Sequence, residues 1–171
     1  LYINTDTAVI DHCNFSYNND GLVLYNSDAV VSNNTFYWND MAGVYALIYS
    51  NASIENNVFE SNKIYGIWAD GGSNTDPKGS NPLIRNNLIR NTGRGSTTAV
   101  GIEITTYSSP AIENNRIIDS TEDSIFIGEE CHPLIINNTI DAKGGNYGIA
   151  SSSCRTVTIT NTSITNTALW D

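Results

Sequence analysis

Ile54-Glu55-Asn56-Asn57-Val58-Phe59 sets a branched apolar residue, a polar residue, an asparagine pair, a variable residue and an aromatic ring in six successive positions. Variants of the phrase open at Ile10, Val31, Ile84, Ile112, Ile135 and Ile159 and close on Phe15, Phe36, Ile89, Ile117, Ile140 and Ile164, which makes seven copies. The first Asn of each, or its equivalent, stands at positions 12, 33, 56, 86, 114, 137 and 161, at intervals of 21, 23, 30, 28, 23 and 24 residues. A period near 23 with expandable gaps marks a solenoid, in which each unit buries its apolar face only by stacking on the next.

A second motif follows each copy. Gly21-Leu22-Val23-Leu24, Gly43-Val44-Tyr45-Ala46, Gly66-Ile67-Trp68-Ala69, Gly101-Ile102-Glu103-Ile104, Ser124-Ile125-Phe126-Ile127 and Gly148-Ile149-Ala150-Ser151 alternate with period two, and most open on a turn glycine. Asn, Ser, Asp and Gly dominate the stretches between, which read as turns, and no segment carries apolar residues at helical spacing. Each unit is therefore two or three short strands joined by bends. Stacked in register, Phe15, Phe36, Phe59, Ile89, Ile117, Ile140 and Ile164 form one apolar column, and Leu22, Val44, Ile67, Ile102, Ile125 and Ile149 another. The asparagine column suits a bend, because an amide donates to one neighbouring coil and accepts from the other, and one Asn of each pair tolerates the left-handed conformation. The pattern leaves open which Asn does which.

These columns resemble the parallel β-helix repeat of the right-handed, pectate-lyase-like superfamily over nearly the whole chain. The resemblance implies an all-β, single-stranded, right-handed parallel β-helix of about seven coils spanning residues 1–171. At roughly 4.8 Å per stacked strand the rod is about 30 Å long, which is short for such a solenoid. Neither end shows an amphipathic cap, so the expectation is a portion of a longer protein, or ends that pack against other domains or copies. The superfamily spans polysaccharide lyases, glycoside hydrolases, uronan epimerases, tailspikes, periplasmic accessory proteins and passive surface proteins, so function has to be argued from a site.

Eight basic against 18 acidic residues give a net charge of −10, which argues against nucleic acid and anionic membranes as partners. It also disfavours a polyanion such as pectate or alginate unless a bound cation reverses the local field. No run of about 20 apolar residues offers a membrane span. Few lysines, many Asn and Thr, and N-x-S/T sequons at Asn14, Asn33, Asn51, Asn137 and Asn161 fit an extracellular, cell-surface or periplasmic protein, although most of the sequons are by-products of the bend motif. Cys131 and Cys154 stand one coil apart, as a disulfide or as two stacked free thiols. Cys13 and His12 take the places of asparagines in the first bend.

Strand parity turns Val23, Tyr45, Trp68, Glu103, Phe126 and Ala150 outward, with Tyr25, Leu47, Asp70, Thr105 and Gly128 next on the same face. Tyr45, Trp68, Glu103 and Phe126 are the ligand-binding candidates, since exposed rings beside carboxylates suit the stacking and hydrogen bonding of sugars. A protein-contact surface and a cross-coil aromatic ladder are the competing readings. Two long turns frame the face, Asp70 to Ser80 and Asn91 to Ala99. Asp70, Asn74 and Asp76 in the first offer oxygen ligands at a spacing compatible with Ca²⁺, without the ordered pattern or closing Glu of an EF-hand. No other cofactor is indicated.

The acidic stretch from Glu122 to His132 supplies further carboxylates, read either as a solvated turn or as an acid and base for glycoside cleavage. Glu122-Asp123-Ser124-Ile125 is similar to the Asp-Asp-Cys-Ile/Val element of polygalacturonases, and Asn4-Thr5-Asp6 to their Asn-Thr-Asp element. Here the two lie 117 residues apart, and the Gly-His-Gly and Arg-Ile-Lys elements are absent. Arg85 between Glu55 and Glu113, and Arg90 above Glu60, read as cross-coil ion pairs rather than lyase bases. Three functions follow as expectations. The first is binding of a polysaccharide or glycan along the aromatic face. The second is a carbohydrate-active enzyme using Glu103, Asp70, Glu122 and Asp123, and the third is a structural segment of a surface layer, fibre or adhesin.

Overall fold

The computed structural model describes residues 1–72, 79–143 and 145–167. Each coil gives one strand to each of three seven-stranded sheets, and every strand pair is parallel to the equivalent strand one coil away. Sheet A holds β1 (Tyr2–Ile3), β4 (Leu22–Tyr25), β7 (Ala42–Leu47), β10 (Tyr65–Asp70), β13 (Val100–Thr105), β16 (Asp123–Ile127) and β19 (Tyr147–Ser151). Sheet B holds β2 (Val9–Asp11), β5 (Val30–Ser32), β8 (Ser53–Glu55), β11 (Leu83–Arg85), β14 (Ala111–Glu113), β17 (Leu134–Ile136) and β20 (Thr158–Thr160) and carries the start of the repeated phrase, while sheet C holds β3 (Asn14–Ser16), β6 (Thr35–Tyr37), β9 (Val58–Glu60), β12 (Leu88–Arg90), β15 (Arg116–Ile118), β18 (Thr139–Asp141) and β21 (Ser163–Thr165) and carries its end. The unit therefore has three strands.

The apolar columns are in register as expected. Ile54, Ile84, Ile112 and Ile135 pair in sequence through sheet B, and Phe36, Phe59, Ile89, Ile117 and Ile140 do so through sheet C, all fully buried. Phe15, Phe36 and Phe59 stack nearly parallel, with centroids 5.0 and 4.8 Å apart. At the last coil the columns lose their cover, and Ile159 and Ile164 are exposed.

The first residue of each asparagine pair turns the corner between sheets B and C: His12, Asn33, Asn56, Asn86, Asn114, Asn137 and Asn161 all have φ between 51° and 57°. Asn tolerates this left-handed region better than most residues because its short amide bonds locally. The second residue of the pair builds the ladder. Asn34, Asn57, Asn87, Asn115 and Asn138 are buried, each accepting at Oδ1 from the backbone N–H of the preceding coil's ladder residue at 2.8 to 3.0 Å. Each also donates through Nδ2 to a carbonyl of the preceding coil, as Asn87 does to Ile54 at 2.8 Å. Cys13 opens this ladder with its backbone N–H alone.

Two further ladders run at the other corners. Asn18, Asn39 and Asn62 repeat the amide stack between sheets C and A. Between sheets A and B, Ser27, Ser50 and Ser80 each direct a backbone N–H at the hydroxyl of the next coil's serine, ending on Ser108, at 3.2 to 3.3 Å. Cys131 and Cys154 continue the spacing of this serine column, and the structure holds both as free thiols. The buried Cys131 takes a serine's place, and its Sγ lies 3.3 Å from the Glu129 carbonyl. Burial pushes that thiol up to about 11, so it is inert at neutral pH.

Gly66 shows why glycine stands second in β7, β10, β13 and β19. Its neighbour Ile67 is also buried, so two successive residues face the core, and a Cβ on Gly66 would lie 2.6 Å from the Gly101 carbonyl oxygen and 2.8 Å from Ile89. The double step resets the alternation and brings Tyr65 to the same outer side as Trp68. The expected ion pairs also form, Arg85 Nε to Glu55 at 2.7 Å and Arg90 to Glu60 at 2.8 Å.

Phe59→Ala empties a fully buried ring site and is expected to cost about 3 to 5 kcal/mol, whereas Trp68→Ala on the outer face costs much less. Asn87→Ala leaves the Asn57 N–H and the Ile54 carbonyl without partners, at about 1 to 3 kcal/mol for each group. Urea denaturation of the three variants measures both expectations. A Trp68→Ala loss equal to that of Phe59→Ala would overturn the inward and outward assignment.

Candidate functional site

Tyr45, Trp68, Glu103, Phe126 and Ala150 pair one above another on β7, β10, β13, β16 and β19, which confirms the outward column. The Tyr45 and Trp68 rings stack face to face, with centroids 4.1 Å apart and planes within 4°. Their polar handles are met inside the protein: the Tyr45 hydroxyl donates to Asp70 Oδ2 at 3.1 Å, and Trp68 Nε1–H to Thr105 Oγ1 at 3.0 Å. This pair is a cross-coil ladder, and each ring has one face committed to the other.

Asp70 accepts a second bond at Oδ1 from the Gly72 N–H, at 3.0 Å. Both its oxygens thus have protein partners. Asn74 and Asp76, the other two candidate Ca²⁺ ligands, lie outside the described residues. Among the described residues no three His, Cys, Asp or Glu side chains converge on a metal position.

Beside the aromatic ladder a groove of about 470 Å³ opens on the outer side of sheet A. Val100, Glu103, Asp123 and Phe126 line it from β13 and β16, Tyr65 from β10, and Met41, Ile64, Thr98 and Glu122 from the turns that enter β7, β10, β13 and β16. Adjacent coils supply the carboxylates, because Glu103 pairs with Phe126 and Val100 with Asp123. Tyr65 packs on Trp68 at 4.9 Å and joins groove to ladder. The long turn from Asn91 to Ala99 walls one side through Thr98, while its Arg94 lies over the Trp38 ring at 4.0 Å and reaches Asp40 at 3.5 Å.

The solvated-turn reading of the acidic stretch needs correction at Asp123, which is only 5% exposed. The strand begins at this residue, and its side chain is enclosed where the groove meets the sheet. One oxygen, Oδ1, is buried without a hydrogen-bond partner among the described residues. Glu130 instead turns the corner between sheets A and B and pairs with Arg155, outside the groove.

Burial, followed by the charges of Asp123, Glu122 and Asp70, pushes the Glu103 carboxyl up to about 7. Burial and Glu122 push Asp123 up to about 6, against a lowering contribution from the Tyr147 backbone N–H. The Tyr65 hydroxyl is also raised, by burial and by Glu103 and Glu122. Near neutrality the groove therefore holds carboxyls of different protonation, a condition for general acid–base chemistry.

Three of the four catalytic candidates, Glu103, Glu122 and Asp123, share the groove, and Asp70 acts on Glu103 through its charge. Of the four ligand-binding candidates, Glu103 and Phe126 line it, while Tyr45 and Trp68 form the ladder alongside. Sequence reasoning missed Tyr65, Met41, Ile64, Thr98 and Val100. The glycines that follow Tyr65 and Val100 were the available signal, since a buried glycine next to a buried Ile shifts strand parity.

Two segments of the chain, residues 1–76 and 76–169, match the family model described as the right handed beta helix region. The chain belongs to this right-handed β-helix family. No curated protein matches it, and no solved structure does. Membership fixes the handedness of the coil and leaves the chemistry of the groove to its own residues.

Both raised carboxyls make this β-helix more stable in acid. An unfolded Glu or Asp titrates near 4.5 or 3.8, so the folded chain holds extra protons above those values. That contribution is complete below the unfolded values and is lost as pH rises through about 6 for Asp123 and about 7 for Glu103. For Glu103 the loss is on the order of 1 to 3 kcal/mol. Thermal melts at pH 5 and pH 8 are expected to show the lower Tm at pH 8, with a smaller difference in Glu103→Gln. Equal differences in the two proteins would contradict the raised carboxyl.

Proposed function

We propose that this β-helix binds a glycan in the groove on the outer face of sheet A. The observation that carries the reading is the joining of Tyr65 and Phe126 to Glu103 and Glu122 in one open cleft built from adjacent coils. Sugar rings offer C–H faces to aromatic walls and hydroxyls to carboxylates, and the groove supplies both. The Tyr45–Trp68 ladder supports Tyr65 from below and continues the face along the coil axis. A polysaccharide partner and an extracellular, cell-surface or periplasmic location belong to this reading. Among the described residues no helix is long and apolar enough to cross a membrane.

Carbohydrate-active chemistry is the second reading, favoured by the unequal carboxyls. Glu103, raised to about 7, is suited to donate a proton to a leaving oxygen, and Asp123, raised to about 6, is its partner of lower value. Binding is the simpler function because it requires only the groove.

Affinity electrophoresis against a panel of soluble polysaccharides, with and without Ca²⁺, tests the proposal. At least one glycan is expected to retard the protein, and Phe126→Ala to weaken that retardation about tenfold, in line with a stacking contribution of about 1 to 1.5 kcal/mol. Retardation that persists unchanged in Phe126→Ala would move the ligand out of the groove. Release of shortened or unsaturated products from the retained glycan would establish the enzymatic reading.

A further inference from the structure

The groove's charge is one-sided. Of its nine described lining residues three are carboxylates, and among these nine none is Lys, Arg or His. The arginine carried by its wall, Arg94, is directed away to Trp38 and Asp40. Asp123, 95% buried, leaves Oδ1 without a hydrogen-bond donor among the described residues. A buried anionic oxygen without a partner is costly, and a positive charge nearby relieves that cost.

We propose that the ligand of this groove is a glycan bearing free amino groups, one ammonium of which seats between Glu103 and Glu122 against the rings of Tyr65 and Phe126. The inference rests on the glycan reading above and specifies its substrate class. Ammonium groups are attracted both to carboxylates and to the faces of aromatic rings, so these walls act together on one charge. The groups whose charge acts on Glu103 are Asp123 and Glu122 from the coil on one side and Asp70 from the coil on the other, and Glu103 in turn acts on the Tyr65 hydroxyl. All but the tyrosine are acidic, and a cation at this point answers each of them. A metal ion fits less well, since no three of these side chains converge on one point among the described residues. An ammonium on a pyranose ring needs only looser, one-sided contacts. A uronic acid chain meets repulsion from the same three carboxylates and from a net charge of −10.

Calorimetric titration of the protein at pH 6 with a glucosamine oligomer, its fully N-acetylated counterpart, an oligogalacturonate and an oligolysine of equal length distinguishes the sources of affinity. The glucosamine oligomer is expected to bind at least about tenfold more tightly than the N-acetylated form, with no heat from the uronate. Glu103→Gln and Glu122→Gln are each expected to weaken that binding about tenfold, the scale of one charge-assisted hydrogen bond. Glu103→Gln is also expected to keep or raise the Tm at pH 8, which separates a ligand contact from a structural role. Equal binding of the N-acetylated oligomer overturns the amino-sugar assignment and leaves the glycan reading standing. Oligolysine binding as tightly as the glucosamine oligomer overturns it by removing the sugar, and binding by none of the four probes defeats both readings.

Discussion

Buried amides at the corners hold this molecule in register. A coil must turn three times in about 23 residues, and each turn withdraws backbone N–H and C=O groups from the ladders of the flat sheets. Asn57 shows how the problem is met: its Oδ1 accepts the Asn34 N–H at 2.9 Å, and its Nδ2 donates to the Val31 carbonyl at 2.9 Å. One side chain thus satisfies two orphaned groups of the coil beside it, and its own N–H is satisfied by Asn87 of the following coil. Because the amide's geometry is fixed, the coil-to-coil register is fixed too. Each apolar side chain then meets its equivalent, and the core columns follow.

That dependence explains why the fold was legible and the site was not. Columns such as Phe36–Phe59–Ile89 repeat one chemical requirement in every coil, so the sequence states it several times over. The role of the paired asparagines was ambiguous only because both belong to residue types that tolerate φ > 0. Backbone conformation separates them, with Asn56 turning the corner and Asn57 building the ladder. The Ser27–Ser50–Ser80–Ser108 ladder was hidden by the 30-residue and 28-residue spacings.

The groove was missed for a different reason. Glu103 and Phe126 were visible because they alternate regularly with buried neighbours, but Tyr65, Val100 and Asp123 stand on the far side of the paired inward positions at the strand start. Simple alternation assigns those residues wrongly. Glu122-Asp123 also looked like a solvated turn because hydrophilic composition predicts exposure, whereas the enclosure of Asp123 comes from the groove walls, which only the stacking of coils brings together.

A parallel β-helix sets equivalent residues of adjacent coils side by side, so any charge placed in an outward column meets whatever occupies that column one coil away. Elsewhere on this chain the arrangement is used favourably, with Arg85 beside Glu55 and Arg90 beside Glu60. In the groove Glu103, Glu122 and Asp123 come together without a counter-charge among the described lining residues. Carboxylates gathered in this aromatic cleft without a described counter-charge carry a local cost in stability. Relief of that cost by a ligand contributes to binding, because the repulsion present in the free protein is removed when a cation arrives. Aromatic walls alone would accept many sugars, and it is this unpaired charge that gives the cleft a basis for choosing among them.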